Sequence, residues 1–172
     1  DARTQLEAIR VTGRSAYRAD FPDSTHLSQR VLLPAADEER HGVEDARFVT
    51  FTAEDGSTEY RASYTAYDGR AIASRLLTTQ DFRTFSVHRL TGAGARTKGI
   101  AFFPRAVGGR LLALTRSDGD RIWLAASDDG MEWTDVAPVH TPQRLWEVVQ
   151  SGNCGSPIET DRGWLVLTHG VG

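Results

Sequence analysis

Two stretches of this chain repeat one another in outline, and the repeat excludes most folds. "YDGRAIASRLLTTQDFRTF", Tyr67 to Phe85, and "SDGDRIWLAASDDGMEW", Ser117 to Trp133, both run as turn, strand, small polar residue, aspartate, a few residues and an aromatic, at an offset of about 50 positions. A third unit begins at "CGSPIETDRGWLVLTHG", where Ile158 to Gly170 follows "AVGGRLLALTR" as strand, turn and strand. The strand-like segments, "ARFVTFTA", "TEYRASYTAYD", "AIASRLLTT", "GIAFFPRAV", "GRLLALTRS", "DRIWLAASD" and "GWLVLTHG", are short and rich in β-branched and aromatic residues. "AEDGS" at 53–57, "YDGR" at 67–70 and "SDGD" at 117–120 read as hairpin turns, because Asp-Gly tolerates the positive backbone angles such turns demand. Past the first dozen residues no window keeps apolar side chains at i, i+3, i+4 and i+7 for more than two turns, so helices are not expected there.

Units of roughly 40–55 residues built from antiparallel strands mark a β-propeller, whose blades are small sheets arranged around an axis. The expected fold class is therefore all-β, a β-propeller with about three blades in 172 residues. A β-sandwich is the alternative, but it requires no spaced repeat. Since propellers usually have about four to eight blades, the chain reads as a fragment truncated at both ends. Its start at Asp1 rather than Met, and its finish on the strand-like "WLVLTHGVG", agree with that expectation.

Composition narrows the function classes. With 40% hydrophobic and 25% charged residues the chain is ordinary for a globular domain, and its net charge of -3 with scattered Lys and Arg supplies no basic patch for nucleic acid or an anionic membrane. No run approaches the about 18 apolar residues that a spanning helix needs, so no membrane association is expected. One cysteine, Cys154, excludes an internal disulfide and a cysteine-based zinc site, which makes the cytoplasm the default location. Cys154 is read as a packed thiol, and His26, His41, His88 and His140 lack metal-ligand spacing, so no metal is expected. A homo-oligomer is left open.

In a propeller the first strand of each blade lines the central channel, so polar residues at the starts of successive units converge although they lie far apart in sequence. Those residues are Glu44, Asp45 and Arg47 in "GVEDARF", then Lys98 and Arg116, then Gln150, Asn153 and His169. An acid facing several cations and amides suits an anionic or polyhydroxylated ligand. The plainer reading of Lys98 and Arg116 is that they sit on solvated loops. Tyr64, Tyr67, Asp68, Trp146 and Asn153 are of the types that stack on or read sugars, though the aromatics could equally pack between blades. Trp123, Trp133 and Trp164 fall within the repeats and are expected in the core.

"GVEDARF", "TKGIAFFPRAVGGRLLALTR" and "GNCGSPIETDRGWLVLTHGVG" resemble, in that order, the signature segments of glycoside hydrolase family 130, the β-mannoside phosphorylases and their hydrolase relatives. The resemblance runs from about Gly13 onward. It implies a five-bladed propeller with the site in the central cavity, so that residues 1–172 would be part of a catalytic domain. It also implies an inverting single displacement: an aspartate in the E-D-x-R motif supplies the proton to the departing glycosidic oxygen, through a sugar hydroxyl, while inorganic phosphate attacks the anomeric carbon and α-mannose 1-phosphate leaves. Asp45 matches that aspartate. One acid suffices because phosphate is the nucleophile, whereas inverting glycosidases need two acids roughly 6.5–9.5 Å apart. Lys98, Arg116 and His169 match phosphate-holding positions, and Arg47, Tyr64, Asp68 and Asn153 are the expected substrate contacts. At Gln150 the chain departs from the family pattern, which has lysine in K-x-G-x-G-x-P-P-I; an amide still donates to phosphate, but one charge is lost. Hydrolysis is then the rival, with Glu147, Glu159 or an acid in the missing part of the protein as the base for water, and a non-catalytic glycan- or protein-binding propeller is the third reading. Glu44 is expected to face away from Asp45, since neighbours in a strand point to opposite sides, and to orient Arg47 or a hydroxyl. No cofactor is expected beyond phosphate as co-substrate, and the partner is a small oligosaccharide.

Overall fold

A computed structural model of the chain describes residues 15–172. The first dozen residues, set apart above as the one stretch where helical spacing is not excluded, lie outside the described residues. Five strands, β1 (Tyr17–Asp20), β2 (Val43–Thr52), β3 (Thr58–Tyr67), β4 (Ile72–Thr79) and β5 (Thr84–Arg89), form one antiparallel sheet in the order β1-β5-β4-β3-β2. Four more, β6 (Ala101–Phe102), β7 (Leu111–Thr115), β8 (Ile122–Ser127) and β9 (Thr134–His140), form a second in the order β6-β7-β8-β9. A third unit consists of two pairs, β10 (Gln150–Asn153) with β13 (Thr168–Val171) and β11 (Ile158–Thr160) with β12 (Gly163–Leu165). From Tyr17 onward the helical elements are short 3-10 turns. The chain is all-β and forms part of a propeller: two blades in full and the strand pairs of a third.

The repeat seen in the sequence is a repeat of turn chemistry. Asp68, between β3 and β4, accepts the backbone N–H groups of Arg70 and Ala71 at 2.7 and 2.8 Å; Asp118, between β7 and β8, accepts those of Asp120 and Arg121 at 3.1 and 3.0 Å. At the next turn Asp81 receives the N–H groups of Arg83 and Thr84, and Asp129 those of Met131 and Glu132. The small polar residue before each, Thr79 or Ser127, accepts one more N–H, from Phe82 or Gly130. Phe82 and Gly130 occupy matching places with φ of 55° and 78°. Each carboxylate thus satisfies donors that the turn leaves without a ladder partner. These bonds hold the acids of Asp68, Asp81 and Asp129 below the usual carboxylate range, the backbone N–H groups being the leading cause.

The aromatic that closes each repeat is buried: Phe85 in the first blade and Trp133 in the second. Trp133 belongs to the cluster between the two blades, with Leu76, Leu90, Ile100, Phe102, Ala113 and Ala125. The segment joining the blades is stitched to it. Thr91 N–H donates to Met131 O, Trp133 N–H to Thr91 O and Gly94 N–H to Trp133 O, each at 2.9 Å. Gly92 must be glycine, because a Cβ there would lie 2.3 Å from Trp133 O and its φ is +89°.

Three expectations need correction. "GIAFFPRAV" yields only the two-residue β6. "GWLVLTHG" is split in two, because β12 pairs with β11 while β13 pairs with β10, so the chain changes partner between Leu165 and Thr168. Of the three tryptophans expected in the core only Trp133 is fully buried. Trp123 is half-buried and donates its indole N–H to Asp118 at 2.8 Å, and Trp164 is half-buried against Phe103.

Candidate active site

The two adjacent acids lie inside β2, not before it, and the ladder is irregular where they sit. Glu44 pairs with Thr65 and Arg47 with Ser63, so Asp45 and Ala46 together oppose the single residue Tyr64. This is a β-bulge, and Asp45 within it takes φ +56°. A non-glycine residue in that region stores about 1 kcal/mol or more of backbone strain, and such residues cluster at functional sites. The alternation expected of a regular strand is therefore lost at these acids.

Around Asp45 the three units converge on a polar cavity of about 250 Å³, lined by Asp45, Arg47, Lys98, Gly99, Arg116, Gln150, Gly152, Asn153 and His169. Each side chain arrives by a different route. Lys98 lies in the segment before β6, which is held by Thr97 Oγ1 donating to Arg116 O at 2.6 Å and by Ser74 Oγ donating to Thr97 O at 2.7 Å. Arg116 follows the end of β7. Gln150 and Asn153 begin and end β10, and His169 sits opposite Gly152 across the β10–β13 pair. Gly152 makes that fit: a Cβ there would come within 2.8 Å of the His169 ring and 3.5 Å of an Arg116 terminal nitrogen. Gly152 is a site residue that sequence reasoning passed over, although the "SGN" around it lies between two residues that were singled out.

Asp45 and Arg47 form a forked ion pair, Nη2 to Oδ2 at 2.8 Å and Nε to the two carboxylate oxygens at 3.1 and 3.0 Å. Lys98 Nζ reaches Glu44 Oε1 at 2.9 Å. Glu44 thus partners Lys98, and it is Asp45, not Glu44, that pairs with Arg47. Arg116 has no carboxylate partner among the described residues, and its Nε is buried without an acceptor. Counting charges around the cavity, two acids answer two of three fixed cations, and the Arg116 guanidinium is left over. Such an uncompensated fork is a ready site for an oxyanion.

The remaining expected contacts separate. Asn153 is at the cavity but committed, its Nδ2–H donating to Leu114 O at 3.2 Å and its Oδ1 accepting from Arg47. Asp68 does not line the cavity; its carboxylate is taken up by its own turn, as described for the repeat. Tyr64 lies on the other side of residues 43–46, along a largely apolar cavity of about 330 Å³ that it shares with Tyr17, Leu32, Val43, Phe48 and Leu77. Its hydroxyl donates to buried Glu39, and burial first, then that bond, pushes its pKa far up. Tyr67 is exposed, edge-on to His41, and Trp146 is half-exposed against Gly170; neither lines the polar cavity.

Neither acid suggested as a base for water is available. Glu147 is buried and accepts from His140 and from the N–H groups of Gln143 and Arg144, and those bonds, led by Gln143, hold its pKa down. Glu159 pairs with Arg105 on the exposed β11–β12 hairpin. Cys154 also departs from expectation: it is exposed, with its sulfur 3.5 Å from His169 Nδ1. Its place just past the end of β10, opposite the approach to β13, brings the two together from fifteen residues apart. Among the described residues no cluster of His, Cys, Asp or Glu has the arrangement of a metal site, and no helix is long and apolar enough to cross a membrane.

A family model described as beta-1,4-mannooligosaccharide phosphorylase, that of glycoside hydrolase family 130, matches residues 22–172. The chain belongs to this family. A 1,2-beta-oligomannan phosphorylase of Thermoanaerobacter is 29% identical over 157 residues, covering 90% of this chain and 51% of the relative. A beta-1,2-mannobiose phosphorylase of Listeria innocua is 31% identical over 176 residues, covering 98% and 46%. The solved structure of a beta-1,2-mannobiose phosphorylase from Listeria innocua in complex with beta-1,2-mannobiose superposes with a TM-score of 0.64 at 26% identity, over 81% of this chain and 39% of that one. A glycosyl hydrolase from Bacteroides ovatus, at 16% identity and TM-score 0.61, shares the fold. This family 130 chain spans about half the length of the curated relatives it matches.

Proposed function

We propose that residues 1–172 form part of the catalytic domain of a β-mannoside phosphorylase, carrying its general acid and its phosphate site. In this reading inorganic phosphate enters the polar cavity and is held by Arg116, Lys98 and His169, with Gln150 donating through its amide. In the reactive complex one Asp45 oxygen carries a proton and passes it, through a sugar hydroxyl, toward the departing glycosidic oxygen, while Arg47 stays on the other oxygen and a phosphate oxygen attacks the anomeric carbon from the opposite face. The C–O bond to the leaving sugar breaks as the C–O bond to phosphate forms, giving α-mannose 1-phosphate and a shortened saccharide. Phosphate is co-substrate, and the chemistry calls for no cofactor.

The observation that carries this reading is the convergence of one carboxyl and one uncompensated guanidinium on a single cavity. Phosphorolysis is preferred to hydrolysis because the curated relatives are named phosphorylases, and the lining fits that preference: among the described residues Asp45 is the one carboxylate at the cavity, where a water nucleophile needs a second. The names of the curated relatives make β-1,2-linked mannobiose the first substrate to try, and the description of the family model adds the β-1,4-linked isomer. The test is to incubate the full-length protein with each disaccharide, with and without inorganic phosphate, and to follow mannose 1-phosphate. Product that appears only with phosphate is expected. Free mannose released at the same rate without phosphate would establish hydrolysis instead.

A further inference from the structure

Resting on the reading of Asp45 as general acid, we propose that Arg47 is a positioning residue, which aims the Asp45 carboxyl by tying three successive units of the propeller to it, and not a ligand of the sugar. The guanidinium has five N–H groups. Nε and Nη2 engage Asp45. Nη1 points at Gly99 O at 3.2 Å, at Asn153 O at 2.9 Å and at Asn153 Oδ1. One N–H on Nη2 is all that remains, and the side chain is only 15% exposed. A group so fully used has little left with which to read a hydroxyl.

The three partners come from three places. Asp45 is in β2 of the first blade, Gly99 leads into β6 of the second, and Asn153 ends β10 of the third unit. Asp45 needs such support. It sits in a bulge at left-handed φ, where no ladder pairing fixes its direction, so the fork of Arg47 supplies what the strand does not. Two parallel N–H···O bonds set both the distance and the plane of a carboxylate. A lysine, with one point charge on a flexible stem, cannot reproduce the fork and the carbonyl contacts together. Because a displacement of about 1 Å at a reacting group can cost about 100-fold in rate, the register between neighbouring blades is felt at the acid.

The test uses R47K, Asn153→Ala and D45N in the full-length protein, with steady-state phosphorolysis of β-1,2-mannobiose at varied phosphate, calorimetric titration of inorganic phosphate, and thermal unfolding. R47K is expected to lower kcat about 10–100-fold, with both KM values and the phosphate Kd within about 2-fold of the parent. Asn153→Ala removes one acceptor and leaves the forked pair in place, so a kcat loss of about 3–10-fold with unchanged KM is expected; it also serves if R47K does not fold. A preserved kcat in R47K, or in either variant a loss expressed as a raised KM for mannoside or phosphate, overturns the proposal, since lysine would then be replacing a mere charge or a sugar contact would have gone. D45N separates the two levels. Parental turnover in D45N removes Asp45 as the acid, whereas an inactive D45N beside a fully active R47K removes only the role given to Arg47.

Discussion

Two acids flank the same short stretch of β2, and they show what distinguishes a carboxylate that has finished its task from one that has not. On the apolar side, Glu39 is fully buried and its partners are all in place: Tyr17 Oη at 3.2 and 3.3 Å, Tyr64 Oη, the N–H groups of Ala35 and Ala36 at 2.8 and 3.1 Å, and Arg75 Nη2 at 3.7 Å. On the polar side, Asp45 keeps 40% of its side chain exposed and holds one partner, Arg47, while Arg116 nearby holds none. Burial alone raises a carboxyl's cost of ionisation, and only the donors around Glu39 offset it. A site for a ligand shows the opposite pattern: donors in excess of the acceptors that the chain itself provides. The functional cavity is thus marked less by its acid than by its leftover cation.

The sharpest way to break this comparison is to remove the charge of Glu39. Burial opposes its ionisation, but the bonds from Tyr64 and from the backbone of Ala35 and Ala36, with Arg75, outweigh that and leave its pKa below the ordinary value. A depressed folded-state pKa contributes stability that is present above the unfolded value, 4.5, and is lost as pH falls through the folded one. E39Q is expected to cost about 2 kcal/mol at neutral pH, because a neutral amide takes the place of the buried carboxylate that accepts from Tyr17, Tyr64 and the N–H groups of Ala35 and Ala36, while Arg75 keeps Glu38 as its counter-charge at 2.5 Å. Denaturant unfolding should show the gap between E39Q and parent narrowing below pH 4.5. An equal gap at pH 7 and pH 3 would mean that the acid is held by shape and not by charge. Turnover per folded molecule is expected to survive, because Glu39 does not line the polar cavity.

Removing the leftover cation is the complementary experiment. R116M keeps the length of the side chain and deletes the fork, so the KM for phosphate is expected to rise about 10–100-fold, the worth of a hydrogen bond to a charged group being about 1.5–3 kcal/mol. Stability should change little or rise, since nothing among the described residues depends on the Arg116 charge and its buried Nε has no acceptor. Steady-state kinetics at varied phosphate, run beside thermal unfolding, decide it. A stability loss like that of E39Q, with phosphate KM unmoved, would place Arg116 on the finished side of the comparison.

How far the sequence reached follows from the same contrast. The blades were legible because their turn acids, Asp68 with Asp118 and Asp81 with Asp129, bind N–H groups two or three residues away, and local chemistry repeats visibly along a chain. The convergence of Asp45, Lys98 and Gln150 was legible for a related reason, since in a propeller first strands share an axis; Arg116, past the end of β7, and His169, on β13, reach the same cavity from other strands, for which that argument gives no reason. What depends on partners distant in sequence was not. Asp68 and Tyr64 have the residue types of sugar ligands, and only the fold shows that one closes its own turn and the other is tied to Glu39. The bulge at Asp45 carries no glycine or proline to announce it, so a regular alternation misassigned Glu44, which in fact meets Lys98 from 54 residues away. Cys154 looked partnerless because His169 reaches it only through the pairing of β10 with β13.

The smallest expected effect tests whether the excess of donors is tuned or merely present. Gln150, which the resemblance drawn from the sequence sets at a lysine position, lies at the start of β10 and on the wall of the polar cavity. Q150K adds a second cation without a carboxylate partner beside Arg116. An incoming phosphate gains one more charge-assisted contact, but the empty cavity gains a repulsion between like charges, and both are softened by the solvent that reaches a half-exposed position. The balance is expected to lower the KM for phosphate by about 3–10-fold, to leave kcat within about 2-fold, and to steepen the rise of that KM with added salt. A KM that stays put in Q150K while R116M raises it would mean that one fork already saturates the oxyanion, so that the amide at this position sets hydrogen-bond direction and not charge.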